Sequence, residues 1–167
     1  IGGCAIISDE YVRRIQKPWN LLKRDTLKLN TTPFHATDFE HSHPAMCKIA
    51  AINSFLTRGF HRIAVTTDIN TKRPKGYDGH ETVSTILSEY TRRLIKKYSA
   101  RRCMICFERS SRGEKLLERD FPILSMNAEN LFGEAVDVSG YTMPKISCEA
   151  GLELADLIVH TAGKQQR

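Results

Sequence analysis

Three short apolar segments, each followed by a helical pattern, constrain the fold of this chain most strongly. They read IGGCAII at residues 1–7, HRIAVTTDI at 61–69 and RRCMICFE at 101–108, and each has the length and apolar centre of a buried strand. Strands that alternate with helices form sheets covered by helices on both faces. The predicted fold class is therefore α/β.

The remaining segments are assigned from their periodicity and their breaker residues. Helical spacing of apolar residues predicts helices over 11–22, 45–58, 81–98, 112–119 and 151–163, the first kinked or divided at Pro18. A weak strand is predicted at 122–126. The Thr-, Pro- and His-rich run 29–44 is predicted to be mostly loop, and 127–144 an irregular excursion.

Length and cysteine content favour an ordinary globular domain. A chain of 167 residues buries enough surface to fold without disulfides or a structural metal. Its five cysteines are predicted to be reduced thiols. Cys103 and Cys106 form a C-x-x-C sequence, but positions three apart in a strand point to opposite faces, so we expect neither chelation nor a redox pair.

Neither a membrane span nor a signal peptide is visible in the sequence. No run approaches ~18 consecutive apolar residues, and no basic segment precedes an apolar one at the N-terminus. A cytoplasmic protein without a membrane partner is predicted. The chain begins with Ile on a strand pattern, which predicts that an upstream piece is missing.

The basic residues suggest a polyanionic partner. Lys and Arg number 25 against 19 Asp and Glu, which gives a net charge of +6. The cations concentrate in a loop and at the end of the long helix: Lys72, Arg73, Lys75, Arg92, Arg93, Lys96, Lys97, Arg101 and Arg102. Such patches contact phosphates without reading sequence. Alternatively, the helix cations form a solvated face that complements the C-terminal helix dipole.

Carboxylates at the ends of two predicted strands form the first candidate metal site. Asp68 and Glu108 each close an apolar strand, which would place them side by side at one edge of the sheet. Mg²⁺ or Mn²⁺ would relieve their repulsion, and two such ions can clamp a phosphodiester. Alternatively, each acid is simply polar because its strand ends in solvent.

The C-terminal segment GLELADLIVHTAG carries further polar groups within an apolar helix. Glu153, Asp156 and His160 follow at i, i+3 and i+7 and share one helical face. A buried carboxylate requires an ion pair, hydrogen bonds or a metal. Alternatively, the three residues form a solvated stripe.

Ligand-type side chains are also dense in FHATDFEHSH, residues 34–43. The segment contains His35, Asp38, Glu40, His41 and His43, which together could bind zinc or a transition metal. The spacing matches no zinc motif, so a zinc hydrolase is the third-ranked hypothesis.

Taken together, IGGCAIISDEYV with a following Trp, FHATDFE, the strand ending in CFE, and GLELADLIVH resemble a widespread bacterial and phage domain-of-unknown-function family of RNase H-like fold. The resemblance spans nearly the whole chain. It implies one N-terminally incomplete RNase H-like domain over 1–167, with a mixed central sheet flanked by helices and its first strand missing. It also implies a metal-dependent nuclease.

Two motifs of the family can be placed on this sequence. The C-terminal Gln-x-x-Asp motif places its Asp on Asp156, with Glu153 in the Gln position. The central strand acid corresponds to Glu108 or to Asp68, and the choice between them stays open.

The other two motifs are incomplete. His35 and Asp38 match the middle motif, but Phe34 replaces the acid that many members place before the His. The N-terminal Asp-Glu-Ser is absent from these residues. A chain without it is expected to bind Mg²⁺ weakly, because that first-strand Asp bridges the metals.

The leading functional hypothesis is a nuclease that uses Mg²⁺ or Mn²⁺ to hydrolyse phosphodiester bonds in nucleic acid. Its candidate metal ligands are Asp156, Glu108, Asp68, Glu153 and Asp38. His35 is the candidate proton shuttle beside the catalytic acids Asp156, Glu108 and Asp68. The backbone of the substrate would bind Lys72, Arg73, Lys75, Lys96 and Arg101. The alternative is an inactive nucleic-acid-binding or interaction module, for example in a phage-defence or mobile-element system.

Overall fold

The computed structural model of the chain describes residues 2–7, 10–58, 60–66, 79–125 and 128–165. Helices and strands alternate along it, which confirms the predicted mixed α/β class. The chain divides into two compact units. We call Cys4–Ala64 with Lys145–Arg167 the helical unit, and Ile1–Gly3 with Val65–Pro144 the βαβ unit. Among the helices of these described ranges, none has the combined length and hydrophobicity that a membrane span requires.

The helical unit contains most of the helices. Helix α1 (Lys17–Leu22) continues at both ends into π-helical turns, Val12–Gln16 and Lys23–Leu27. Two further helices, α2 (Ala36–His41) and α3 (Met46–Leu56), come next. After a 3-10 turn at Lys145–Ser147, the last helix, named α6 because two helices of the βαβ unit precede it, spans Ala150–Gln165. Strand β1 (Gly2–Ile7) pairs with β2 (His61–Thr66).

An aromatic core holds these helices together. The ring of Trp19 packs edge-on to Phe34 and tilted against Phe55, both at 5.4 Å between centroids. These aromatic pairs add to the stabilisation from burial itself. The buried cluster comprises Ile15, Trp19, Leu27, Phe34, Ala36, Ile52, Phe55, Phe60, Ala150, Leu154 and Leu157. Residues from both segments of the unit therefore share one core.

The βαβ unit is built around two parallel strands. It contains α4 (Gly79–Lys97), β3 (Arg102–Glu108), α5 (Ser111–Ser125) and β4 (Asp137–Met143). Strand β3 pairs in parallel with β4, with Arg102 opposite Asp137 and Glu108 opposite Met143. A parallel pair needs a crossover connection, and α5 supplies it.

A glycine lets α5 pack closely on β4. A Cβ at Gly140 would lie 2.6 Å from Phe121 and 2.7 Å from Leu117, both on α5. Since real Cβ atoms do not approach other atoms this closely, the glycine sets the helix-to-strand distance.

Two sequence predictions of local structure are wrong. Residues 122–125 continue α5 instead of forming a strand, so Pro122 lies inside a helix. Residues 137–143 form β4 instead of an irregular excursion, because pairing with β3 satisfies their backbone groups. The segment 29–44 is mostly loop as predicted, and α2 is its one helical stretch.

The strand pairing also bears on the predicted central sheet. The described strands form two separate two-stranded pairs, β1 with β2 and β3 with β4. The RNase H-like arrangement of one mixed central sheet stays a prediction.

Candidate functional site

Glu153 of α6 lies in the core of the helical unit, where both of its carboxylate oxygens accept hydrogen bonds. Its Oε1 accepts hydrogen bonds from Lys23 Nζ (2.6 Å) and the backbone N–H of Phe34 (2.7 Å). Its Oε2 accepts one from Trp19 Nε1 (2.6 Å). The side chains of Lys23 and Glu153 are each only 2% exposed. The interpretation of Glu153 as part of a solvated stripe is therefore wrong.

Two partners of Glu153, Trp19 and Lys23, lie on a buried stripe that extends past the end of the helix predicted over 11–22. Ile15, Trp19, Lys23 and Leu27 recur every four residues and are all buried. The π-helical turns at both ends are wider than α-helical turns, which brings the average to about four residues per turn and keeps this stripe on one face. A lysine at an apolar position of such a stripe is the signal that could have identified the buried ion pair.

Asp156, one turn further along α6, holds the start of α2. Its Oδ2 accepts a hydrogen bond from the backbone N–H of Ala36 (3.0 Å), the first residue of α2, and lies 3.9 Å from Lys145 Nζ. A carboxylate in this position takes the role of a capping side chain. The side chain is 37% exposed, and no described residue donates to Oδ1.

Glu40 connects α2 to the end of α6. Its Oε2 lies 2.8 Å from His160 Nε2, and Oε1 contacts Lys164 Nζ. These two contacts and the Asp156 bond all join α2 to one face of α6. The polar face of α6 that is predicted from residues 153, 156 and 160 thus binds α2, which lies about 120 residues away in the sequence.

The other candidates of the FHATDFEHSH segment do not converge. His35 precedes α2 with an extended backbone and is half-buried, and Asp38 is exposed in the first turn. Neither side chain makes a hydrogen bond to a described residue. His41 and His43 are exposed. Among the residues that the structure describes, no zinc ligand set comes together in this segment.

Of the two predicted strand acids, the structure describes Glu108. Glu108 ends β3 with an exposed side chain and belongs to the βαβ unit, whereas Asp156 belongs to the helical unit. Asp68 and the loop residues Lys72, Arg73 and Lys75 lie outside the described residues.

The acids that the structure describes are not grouped as a site for Mg²⁺ or Mn²⁺. These ions take several oxygen ligands. In the described parts of the chain, no three His, Cys, Asp or Glu side chains are grouped to hold a metal. Glu153 does not fit as a ligand, because the Lys23 ammonium and two N–H donors already occupy its oxygens. Asp156, through Oδ1, and the exposed Asp38 are predicted ligands whose oxygens have no partner among the described residues.

A second candidate surface lies on the βαβ unit, at the end of α4 and the start of β3. Arg92, Lys96, Lys97 and Arg101 are all exposed there. None of the four pairs with an acid among the described residues. Two neighbouring cations are neutralised, since Arg93 pairs with Glu89 (3.3 Å) and Arg102 with Asp137 (3.3 Å). We call these four cations the basic surface, and one of them, Lys97, also places its Nζ 5.3 Å from the ring centroid of Tyr98.

Comparisons with protein-family models, curated proteins and solved structures give no match to this chain. The family resemblance and the activity that it implies stay predictions.

Proposed function

We propose that this chain binds the phosphate backbone of nucleic acid through the basic surface. The observation that carries the proposal is that Arg92, Lys96, Lys97 and Arg101 are exposed together without an acid partner among the described residues. Cations already neutralised within a protein release few counterions from nucleic acid, whereas unpaired ones release one for each phosphate they neutralise. The net charge of +6 supports the same class of partner.

The fold that we propose for this binding protein is RNase H-like. The order of the motifs along the chain and the alternation of helices with strands support it. The FHATDF segment and the GLELADLIVH helix are in direct contact, through Ala36 with Asp156 and Phe34 with Glu153.

The test is the salt dependence of oligonucleotide binding. Lys96→Ala combined with Arg101→Ala should weaken duplex binding and make the slope of log K against log salt shallower by about 0.9 for each phosphate that is no longer neutralised. The control removes the same charge from the helical unit with Lys17→Ala and Lys28→Ala, which are also exposed. Equal weakening in both double variants, or no salt-dependent binding at all, would contradict the proposal.

Hydrolysis dependent on Mg²⁺ or Mn²⁺ is a second candidate function. The observation that favours it is the half-exposed Asp156 carboxylate, whose Oδ1 has no partner among the described residues. Cleavage of single- and double-stranded DNA and RNA should be assayed with each metal, comparing the unmodified chain with Asp156→Asn. Cleavage abolished in this variant, with binding retained, would support the nuclease. Binding without cleavage under either metal would leave the binding function alone.

A further inference from the structure

A small hairpin in the βαβ unit, residues 128–136, presents two large apolar side chains. The hairpin is closed by an antiparallel bridge between Glu129 and Ala135 and by the bond from the Val136 N–H to the Ala128 carbonyl (2.8 Å). At its tip, Leu131 is 67% exposed and Phe132 is 74% exposed. We call this pair the apolar tip.

The tip is held in a fixed conformation by one buried side chain. Asn130 is only 4% exposed, and its Oδ1 accepts the backbone N–H groups of Phe132 (2.9 Å) and Glu134 (3.0 Å). Its Nδ2 donates to Glu134 Oε2 (2.8 Å). Gly133 adopts the left-handed backbone (φ 74°) that the turn requires. A buried asparagine thus orders a turn that leaves an aromatic ring in solvent.

The base of the hairpin packs beside the basic surface. Ala128 and Val136 form a buried cluster with Ile95, the residue before Lys96. The next residue of the hairpin strand, Asp137, donates its N–H to the carbonyl of Arg101 (3.1 Å). At about 3.3 Å per residue, the tip extends roughly 10 Å from this base. The tip and the basic surface are therefore carried by elements that contact each other within one unit.

We infer that the apolar tip stacks on unpaired bases of the nucleic acid whose phosphates bind the basic surface. The inference rests on the proposed function and adds a preference for single strands. Single-stranded nucleic acid combines both features that this region offers to a ligand, a polyanionic backbone and exposed planar bases. Bases in a duplex are already stacked on one another and cannot accept the ring without unstacking. The acids Glu129 and Glu134 flank the tip and repel phosphates, so bases and not backbone face it.

The test compares Phe132→Ala with a matched apolar control. Fluorescence anisotropy would measure binding of labelled single-stranded DNA, single-stranded RNA and duplex DNA. Phe132→Ala should weaken binding to a single strand at least about fivefold, the contribution of one base–aromatic stack, and leave duplex binding and the salt slope unchanged. Ile146→Ala, in the helical unit and 79% exposed, should change none of these. The two single-stranded probes decide between DNA and RNA.

Phe132→Trp gives a direct spectroscopic readout of stacking. The chain has one other tryptophan, Trp19, which is fully buried and supplies a constant background. Quenching of the new fluorescence by a single strand, but not by a duplex, is expected. Salt-dependent binding with neither quenching nor a Phe132→Ala effect would overturn the stacking inference alone. Equal effects on the duplex would overturn the single-strand preference, and absence of binding to every probe would overturn the proposed function as well.

Discussion

The Nζ atom of Lys23 lies 2.6 Å from Oε1 of Glu153, and the two side chains are each 2% exposed. They belong to helical segments 130 residues apart in the sequence. The pair therefore joins the two chain segments that build the helical unit. Burial of both charges is tolerated because Trp19 and the Phe34 N–H complete the hydrogen bonding of the carboxylate.

Removal of one partner of this pair should be far more costly than removal of both. Glu153→Ala is expected to lower the free energy of unfolding by about 3–5 kcal/mol, because it leaves the Lys23 ammonium buried without a counter-charge. Lys23→Met combined with Glu153→Gln removes both charges and keeps an acceptor. The destabilisation of this double variant should be smaller than the sum of the destabilisations caused by Lys23→Met alone and by Glu153→Gln alone. Urea denaturation followed by Trp19 fluorescence measures each value.

The neighbouring residue Arg24 supplies the control for that cycle. It is exposed and pairs with the adjacent Asp25 (2.6 Å), so Arg24→Met should change stability by less than about 1 kcal/mol. Additive effects of the Lys23 and Glu153 variants, within about 0.5 kcal/mol, would contradict a buried ion pair.

Asp156 should contribute to stability whether or not the chain is an enzyme. Asp156→Ala removes the acceptor of the first N–H of α2, with an expected destabilisation of about 1 kcal/mol. Asp156→Asn keeps a side-chain oxygen for Ala36 and should destabilise less. Hydrogen exchange at the Ala36 amide, measured alongside urea denaturation, checks the cause. If both variants match the unmodified chain in stability and in exchange at the Ala36 amide, the bond from Ala36 to Asp156 is not made.

Two glycine substitutions should have opposite effects. Gly140→Ala places a methyl group against Phe121 and Leu117 and should destabilise by about 1–3 kcal/mol. Gly163→Ala lies in α6 with no atom within 4 Å of the new Cβ, and should stabilise by about 0.5–1 kcal/mol. Thermal unfolding of both variants checks the signs. A neutral Gly140→Ala would mean that α5 packs less closely on β4.

The cysteines should differ in their reactivity toward a thiol reagent. Burial raises the pKa of the Cys103 thiol, so less of it is thiolate at mildly alkaline pH, whereas Cys47 is exposed. Cys47 should therefore be labelled before Cys103, and labelling of Cys103 should accelerate as the pH rises further. Mass spectrometry of labelled peptides assigns each site, with Cys47→Ser as the control. Faster labelling of Cys103 than of Cys47 would place β3 at the surface.

Sequence patterns alone identified the features that depend on neighbours along the chain. The helical spacing at 45–58, 81–98 and 151–163 and the apolar strand at 101–108 correspond to α3, α4, α6 and β3. Such patterns are read within one or two turns, where residues three and four apart meet. The clustering of Lys96 and Arg101 with their neighbours was visible for the same reason.

The tertiary structure decided what lies opposite each of these elements. DVSGYTM at 137–143 contains Asp, Ser and Gly, which have low strand propensity, and forms β4 because β3 pairs with it. Glu153 has the same local pattern whether it faces solvent, a metal or a lysine. Only the packing of α6 against the buried stripe that contains Trp19 and Lys23 places Lys23 beside Glu153. The partner of a buried charge is set by contacts between distant segments and not by spacing along one helix.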